Sequence, residues 1–260
     1  MKIVVCVKYV PDAQAERTFD ASDNTTDRQG VDGLLSELDE YAVEEALKIA
    51  ESGDGEVVVL TMGPADAEQA IRKSLQMGAA SGVHIQDDAL HGSDAPATSL
   101  VLSKAIEKIG DVDLVLAGMA STDGGMSAVP AMLAERLGLP QVTMASEVTL
   151  DGGSVTIRRD GDTSTETVTA SLPAVVSVTD QINEPRYPSF KGIMAAKKKP
   201  VQTWSLADID VDAGQVGLDA AWTKVESFTK RPPREQGQIV SDEGDGGAKL
   251  AQFLASRKFV

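Results

Sequence analysis

As far as Pro140 the chain alternates short β-branched runs with longer amphipathic segments, and no other feature restricts the fold so tightly. Residues 3–7, 56–61, 82–85 and 113–117 are predicted strands, each bounded by polar or glycine-containing turns. Residues 39–51, 65–77, 95–109 and 126–137 are the intervening predicted helices. In the first, Tyr41, Ala42, Glu45 and Ala46 fall at helical spacing, as do Ile71, Leu75 and Gly78 in the second. Parallel neighbours need a crossover, and a helix is the usual one, so the alternation implies a parallel sheet with helices on both faces. The expected class is α/β, a Rossmann-like and mainly parallel sheet.

From Gln141 the pattern changes. Residues 142–150, 154–159, 166–170 and 174–178 are strand-like, and Asp151-Gly152-Gly153 between two of them is a hairpin signal. An antiparallel extension of the sheet is therefore expected. Beyond Lys199 comes a polar stretch punctuated by Lys230-Arg231-Pro232-Pro233-Arg234 and by glycines at 244–247. A short predicted helix, 248–257, then places Leu250, Phe253 and Leu254 on one face. So short a helix is not stable alone, so that face must dock, on its own domain or on a partner. The expected division is residues 1–199 and a C-terminal extension or arm, 200–260.

The formal net charge of −16 and a pI near 4.5 argue against nucleic acid and against anionic membrane surfaces. Cys6 is the only cysteine, which excludes an intrachain disulfide. No run approaches the ~20 apolar residues that span a bilayer, and Met1 leads almost directly into the first strand. A cytoplasmic protein without membrane insertion is expected.

Residues 183–199 stand apart. They hold five basic residues and one acid in an acidic protein, and Pro185 and Pro188 keep their first half out of a central strand or helix interior. Tyr187, Phe190, Ile193 and Met194 are apolar groups that a solvated linker would not need. Either this is a docking loop with a cationic flank, or its aromatics fold back onto the core.

In an open parallel sheet, ligands gather beyond the carboxyl ends of the strands. Two loops there combine small residues with a following helix: Thr61-Met62-Gly63-Pro64 and Gly118 to Gly125, GMASTDGG. Such loops let amides approach a phosphate, yet ordinary strand–helix turns have the same ingredients. Neither loop is a Walker A sequence, and no GxGxxG opens the first helix, so ATP hydrolysis and a conventional NAD site are poor fits. Asp123 lacks companions at metal-ligand spacing, and His84 and His91 are too few for zinc; no metal site is expected. His91-Gly92-Ser93-Asp94 invites a triad reading, but a helix cap at Ser93 or Asp94 is the more physical account.

Taken in order, VCVKYVPDA, DEYAVEEALKIA, TMGPADAEQAIRKSLQMGA, GMASTDGG, SLPAVVSV and NEPRY make the chain resemble the electron-transfer flavoprotein beta subunit family over nearly its whole length. The resemblance implies an electron-carrier subunit, not an enzyme, with a structural AMP. The implied pocket is Cys6, Ser36, Glu37, Leu38, Asp39, Met62, Gly118, Met119, Ala120, Ser121, Thr122, Asp123, Gly124, Gly125, Met126, Ser127, Ala128 and Val129. Cys6 would then be a packing residue against the adenine. FAD would be held mainly by an alpha subunit in a heterodimer; at two positions where aromatics can approach that flavin, this chain has Ala13 and Leu38. The implied partners also include acyl-CoA or related flavin dehydrogenases, as in fatty acid oxidation, and a membrane quinone reductase. Tyr187, Phe190, Ile193, Met194, Lys197, Lys198 and Lys199 would make the docking surface, Asp160 would help hold a mobile FAD domain, and the C-terminal arm would wrap the partner. Some members carry a second FAD in place of AMP. The rival reading is a stand-alone nucleotide-binding module, which leaves the apolar loop and the last helix unexplained.

Overall fold

A computed structural model describes every residue except 29, 235 and 238. The first half runs β1 (Lys2–Cys6), β2 (Tyr9–Pro11), β3 (Gly33–Leu35), α1 (Glu37–Glu51), β4 (Glu56–Met62), α2 (Glu68–Met77), β5 (Ser81–Ile85), α3 (Ala95–Ile109) and β6 (Leu114–Gly118). It continues through α4 (Val129–Leu137), β7 (Gln141–Ala145), β8 (Glu147–Asp151), β9 (Ser154–Asp160), β10 (Thr165–Ser171) and β11 (Ala174–Val178). The last elements are α5 (Phe190–Ala196), β12 (Val201–Trp204), α6 (Gly217–Ala220) and α7 (Gly246–Ser256).

The central sheet has seven strands in the order β12-β5-β4-β1-β6-β11-β7, and every neighbouring pair is parallel. Strand alternation divides its apolar residues between two faces. Ile3, Val5, Val57, Val59, Leu114 and Leu116 pack under α1 and α2, against Ala42, Val43, Leu47, Ile71 and Leu75. Val4, Val58, Leu60 and Val115 pack under α3 and α4, against Val101, Leu102, Ile106 and Leu133. Each such side chain contributes roughly 1.5–3 kcal/mol by leaving water, so two covered faces make a deep core. The expected α/β class is observed. The chain builds outward from β1 through β4 and β5, then α3 returns it to β6 on β1's other side. The direction of winding therefore switches between β1 and β6, which is where such sheets open a crevice.

Several boundaries differ from the sequence reading, each for a local reason. The single strand expected at 142–150 is two. Met144 has φ +64°, and the Ser146 amide donates to Arg158 O at 2.9 Å, so the chain leaves the parallel ladder and joins an antiparallel one. β8, β9 and β10 thus form their own three-stranded sheet instead of further strands of the first. The Asp151-Gly152-Gly153 hairpin is present, with both glycines at positive φ. α4 starts at Val129 and not at Met126, because Gly125 and Ser127 take left-handed conformations that a helix interior excludes. Residues 65–67 form a 3-10 turn before α2.

β12 pairs with β5, and Leu206, Ile209, Val211 and Val216 after it are buried in the second apolar cluster. The expected boundary at 199/200 thus falls just ahead of a sheet strand, and the first compact unit runs Met1–Glu226. The second unit, Ser227–Val260, contains α7, preceded by a turn in which Asp242 Oδ1 accepts the amides of Gly244 and Gly246 at 2.8 Å each. Leu250, Phe253, Phe259 and Val260 are exposed there. No helix among the described residues is long and apolar enough to cross a membrane.

Candidate functional site

β1 and β6 end side by side, with Cys6 in register with Ala117 of β6 and with Leu60 of β4. A buried carboxylate ties the segments that follow. Asp39, in the first turn of α1, accepts the Lys8 amide at 2.8 Å and also the Gly118 amide. A Cβ on Gly118 would lie 2.6 Å from Asp39 Oδ1 and 2.7 Å from the Leu38 carbonyl oxygen, so only glycine lets β6 end this close to α1. Burial pushes the Asp39 carboxyl up to about 7, and the Lys8 amide and charge offset this only in part. Burial, with the Asp39 charge adding to it, drives the Cys6 thiol up to about 12.

The loop after β6 is held by a second carboxylate. Asp123 accepts Lys8 Nζ at 2.8 Å through Oδ1 and Arg28 Nη2 at 2.7 Å through Oδ2, and its side chain is 1 % exposed. Burial opposes its charge, but Lys8 and Arg28 outweigh burial and hold the carboxyl well below the usual range. Arg17 Nη1 donates to the Asp123 carbonyl oxygen at 3.4 Å. The loop's own turns close through Ser121 O, which accepts the Gly125 amide, and Ser121 Oγ, which accepts that of Gly124. Among the described residues, three buried hydroxyls stand near these strand ends without a hydrogen-bond partner: Ser36 Oγ before α1, Thr61 Oγ1 in β4 and Thr122 Oγ1 in the loop. Buried hydroxyls are ordinarily paired, so a polar ligand would satisfy what the fold leaves open. α4 has no side-chain cap at Ala128 and no acid in its first turn, which leaves its positive end for an anion.

The sequence-predicted pocket residues sort accordingly. Cys6, Ser36, Leu38, Asp39 and the 118–123 stretch converge on the β1/β6 switch, and Met62 lies at the end of β4 beside it. Glu37 and Gly124–Ser127 are exposed, Ala128 and Val129 half-buried. Asp39 and Asp123 are braces for the crevice, because their oxygens are already engaged by the chain. Lys8, Arg17 and Arg28 were missed, and Thr61 was named only as part of the Thr61-Met62-Gly63-Pro64 turn. Lys8 directly follows the first strand, a position that could have signalled it, but nothing near Arg28 in sequence points to Asp123.

The 183–199 segment begins without regular structure through Ser189. Its second half is α5, capped by Ser189 Oγ, which accepts the Gly192 amide at 3.0 Å. Tyr187 is 93 % and Phe190 80 % exposed, and Ile193 and Met194 are exposed beside them, so the aromatics do not fold back on the core. Gly192 lets α5 lie on α2, since a Cβ there would meet Gln76 O at 2.5 Å. Lys199 donates to the carbonyls of Leu75 and Gly78 at 3.0 Å each, closing the carboxyl end of α2. Its charge therefore serves the fold, and Lys197 and Lys198 remain exposed.

A model of the electron transfer flavoprotein domain matches residues 23–209. An electron transfer flavoprotein subunit beta of Mycobacterium tuberculosis is 48 % identical over 99 % of both chains. The chain belongs to the electron transfer flavoprotein beta subunit family. One from Clostridium acetobutylicum is 37 % identical over 92 % of both chains. The caffeyl-CoA reductase–Etf complex subunit CarD of Acetobacterium woodii is 35 % identical, covering 93 % of this chain and 92 % of its own. A beta subunit of this family is partnered by an alpha subunit, and the assembly is a flavoprotein that transfers electrons.

Two further sequence-predicted features are engaged within the chain. Asp160 accepts Ser146 Oγ at 2.6 Å, Thr165 Oγ1 at 2.8 Å and Arg158 Nε at 3.0 Å, so its carboxylate already braces the antiparallel sheet. No triad forms at 91–94. His91 Nε2 pairs with Asp23 Oδ2 at 2.7 Å, Ser93 Oγ accepts the Gly217 amide, and Asp94 caps α3 through the Ala97 amide at 3.0 Å.

Proposed function

We propose that this chain is the catalytically passive beta subunit of a heterodimeric electron carrier, holding one AMP in the β1/β6 crevice and docking flavin dehydrogenases through α5. The observation that carries the reading is the coexistence, in one α/β unit, of a braced polar crevice and an outward-facing apolar tip. The crevice suits an adenine nucleotide: Ser36, Thr61 and Thr122 offer unpaired hydroxyls, and the uncapped start of α4 favours a phosphate. Cys6 contributes apolar surface. The FAD held mainly by the alpha subunit, when bound, supplies the redox chemistry between an acyl-CoA-type dehydrogenase and a membrane quinone reductase.

This chain's part is to fix one protein against another. Phe190 enters an apolar pocket on the dehydrogenase, with Tyr187, Ile193 and Met194 around it. Burying one such ring contributes roughly 2 kcal/mol, enough for a transient encounter and too little to trap it. Lys197 and Lys198 sit at the rim, where charge acts mainly on the association rate. The exposed apolar residues of α7 pack on the alpha subunit.

The test is co-purification with a larger flavin-binding subunit, heat release of the nucleotides and their chromatography. One FAD and one AMP per heterodimer is the expected result. Two FAD would move the chain to the bifurcating class. A lone protein that turns over ATP would overturn both.

A further inference from the structure

The tip is mounted on an ion-pair clamp that reaches back to the first helix. Arg186, between Pro185 and the exposed Tyr187, directs its guanidinium into two carboxylates of α1. Nε and Nη2 donate to Glu44 Oε2 and Oε1 at 2.7 and 3.0 Å. Nη1 and Nη2 donate to Glu51 Oε1 and Oε2 at 2.6 and 3.0 Å. The Arg186 amide adds a bond to Glu44 Oε2 at 3.2 Å. Glu44 and Glu51 are two helical turns apart and so lie on one face of α1. Three residues earlier, Asn183 Nδ2 donates to the Tyr41 carbonyl oxygen and to Glu45 Oε2, both at 3.1 Å.

Glu44 is 6 % exposed, although it is a carboxylate on a helix at the edge of the core. A buried charge persists only when a partner matches it, and Arg186 does so through a planar two-bond fork that a lysine cannot reproduce. The clamp shares α1 with the crevice, Glu44 standing five residues after Asp39, but the hydrogen bonds of Arg186 go to Glu44 and Glu51 and not to Asp39, Asp123 or the 118–129 loop. What it does fix is the chain immediately before Tyr187 and Phe190. Without it, the tip's direction would be left to the neutral Asn183 anchor three residues back and to α5's contact with α2.

We propose that Arg186, gripped by Glu44 and Glu51, is a positioning residue for dehydrogenase docking: it pre-orients the Tyr187–Phe190 tip so that the encounter does not have to order it. This rests on the docking reading of the previous subsection. The clamp lowers the entropic cost of binding and leaves the flavin chemistry alone, so its loss raises the half-saturating concentration of dehydrogenase and spares the maximal rate.

The experiment uses the purified heterodimer and an acyl-CoA dehydrogenase from which the unaltered heterodimer accepts electrons. Arg186→Met is expected to raise KM for the dehydrogenase by about tenfold with kcat unchanged, and Arg186→Lys to recover only part of that. Flavin and nucleotide content stay at one equivalent. Glu51→Gln, which leaves Arg186 paired with the buried Glu44, gives a smaller rise of about threefold and covers the case in which Arg186→Met does not fold. Combined with Phe190→Ala, Arg186→Met adds little further, because an absent tip cannot be misplaced. A purely structural role predicts instead that the two changes add. Full additivity, or unchanged KM in both Arg186→Met and Glu51→Gln while Phe190→Ala is impaired, overturns the clamp alone. Unchanged KM in Phe190→Ala overturns the docking reading beneath it.

Discussion

Asp123 is an anion between two cations, and Arg186 is a cation between two anions. The two arrangements use the same chemistry to opposite ends. Around Asp123, the pairs with Lys8 and Arg28 draw a loop closed over the end of the sheet, and the apolar and hydroxyl groups nearby point to an interior use. Around Arg186, the pairs with Glu44 and Glu51 hold the base of a segment while its aromatics face solvent. Charge pairing in this protein therefore decides geometry more than stability. Partly exposed pairs contribute little free energy, whereas the buried member of each, Asp123 or Glu44, tolerates no other arrangement of its neighbours.

Breaking the inward region should cost most. Gly118→Val places a side chain against Asp39 and the Leu38 carbonyl, and the backbone must move. A loss of about 3 kcal/mol in unfolding free energy is expected by denaturant titration, together with loss of bound nucleotide. Unchanged stability would mean that β6 and α1 are not in the close contact described.

The next effect separates the two regions by pH. Asp39's folded carboxyl lies at about 7, above its ordinary unfolded value of 3.8, so the native state binds the extra proton. Its favourable contribution is fully present below the unfolded value and is lost as pH rises through about 7. Asp39→Asn should flatten the fall in stability across that window, by on the order of a few kcal/mol. The check is chemical denaturation of both proteins at a series of pH values, and parallel curves would sink the assignment. Asp123 acts in the opposite sense: its carboxyl is depressed, so its contribution holds above the ordinary carboxylate range and fades only in stronger acid.

Phe190→Ala probes the outward region. It should leave stability, flavin and nucleotide content unchanged, because the ring is exposed, and should weaken dehydrogenase docking by about 2 kcal/mol, read as electron-transfer rate against dehydrogenase concentration. A variant that fails to fold would place the ring in the core. The smallest effect is expected for Lys197→Glu with Lys198→Glu. Association should slow by about threefold at low salt and converge with the unaltered protein at high salt. Stopped-flow mixing at two ionic strengths measures it. Lys199→Glu should behave differently and lower stability, since its ammonium closes α2.

Much of this was legible in sequence because it is local. The continuous apolar runs of Ile3–Val5 and Val57–Leu60 mark strands buried on both faces, and the helical spacing of Tyr41–Ala46 marks a covering helix, and so the doubly wound sheet. The glycines of GMASTDGG mark the crevice loop, and the apolar residues between Pro185 and Lys197 mark the tip. A strand break at Ser146 was not legible, because it depends on which strand Arg158 reaches.

The sequence by itself determined the layers and the presence of an unusual apolar segment, since each follows from spacing along a few consecutive residues; the strand order that puts the switch between β1 and β6 came from the tertiary structure. Only the tertiary structure decided that Lys8 and Asp123, 115 positions apart, close the loop, that Arg186 and Glu44, 142 apart, hold the segment, and that Phe190 faces outward. The physical reason is that an ion pair or a hydrogen bond is set by distance in space, and many arrangements of 40 acids and 24 bases satisfy the same local pattern. Packing of the two apolar faces selects one of them, and the charges then report where the elements have come to rest.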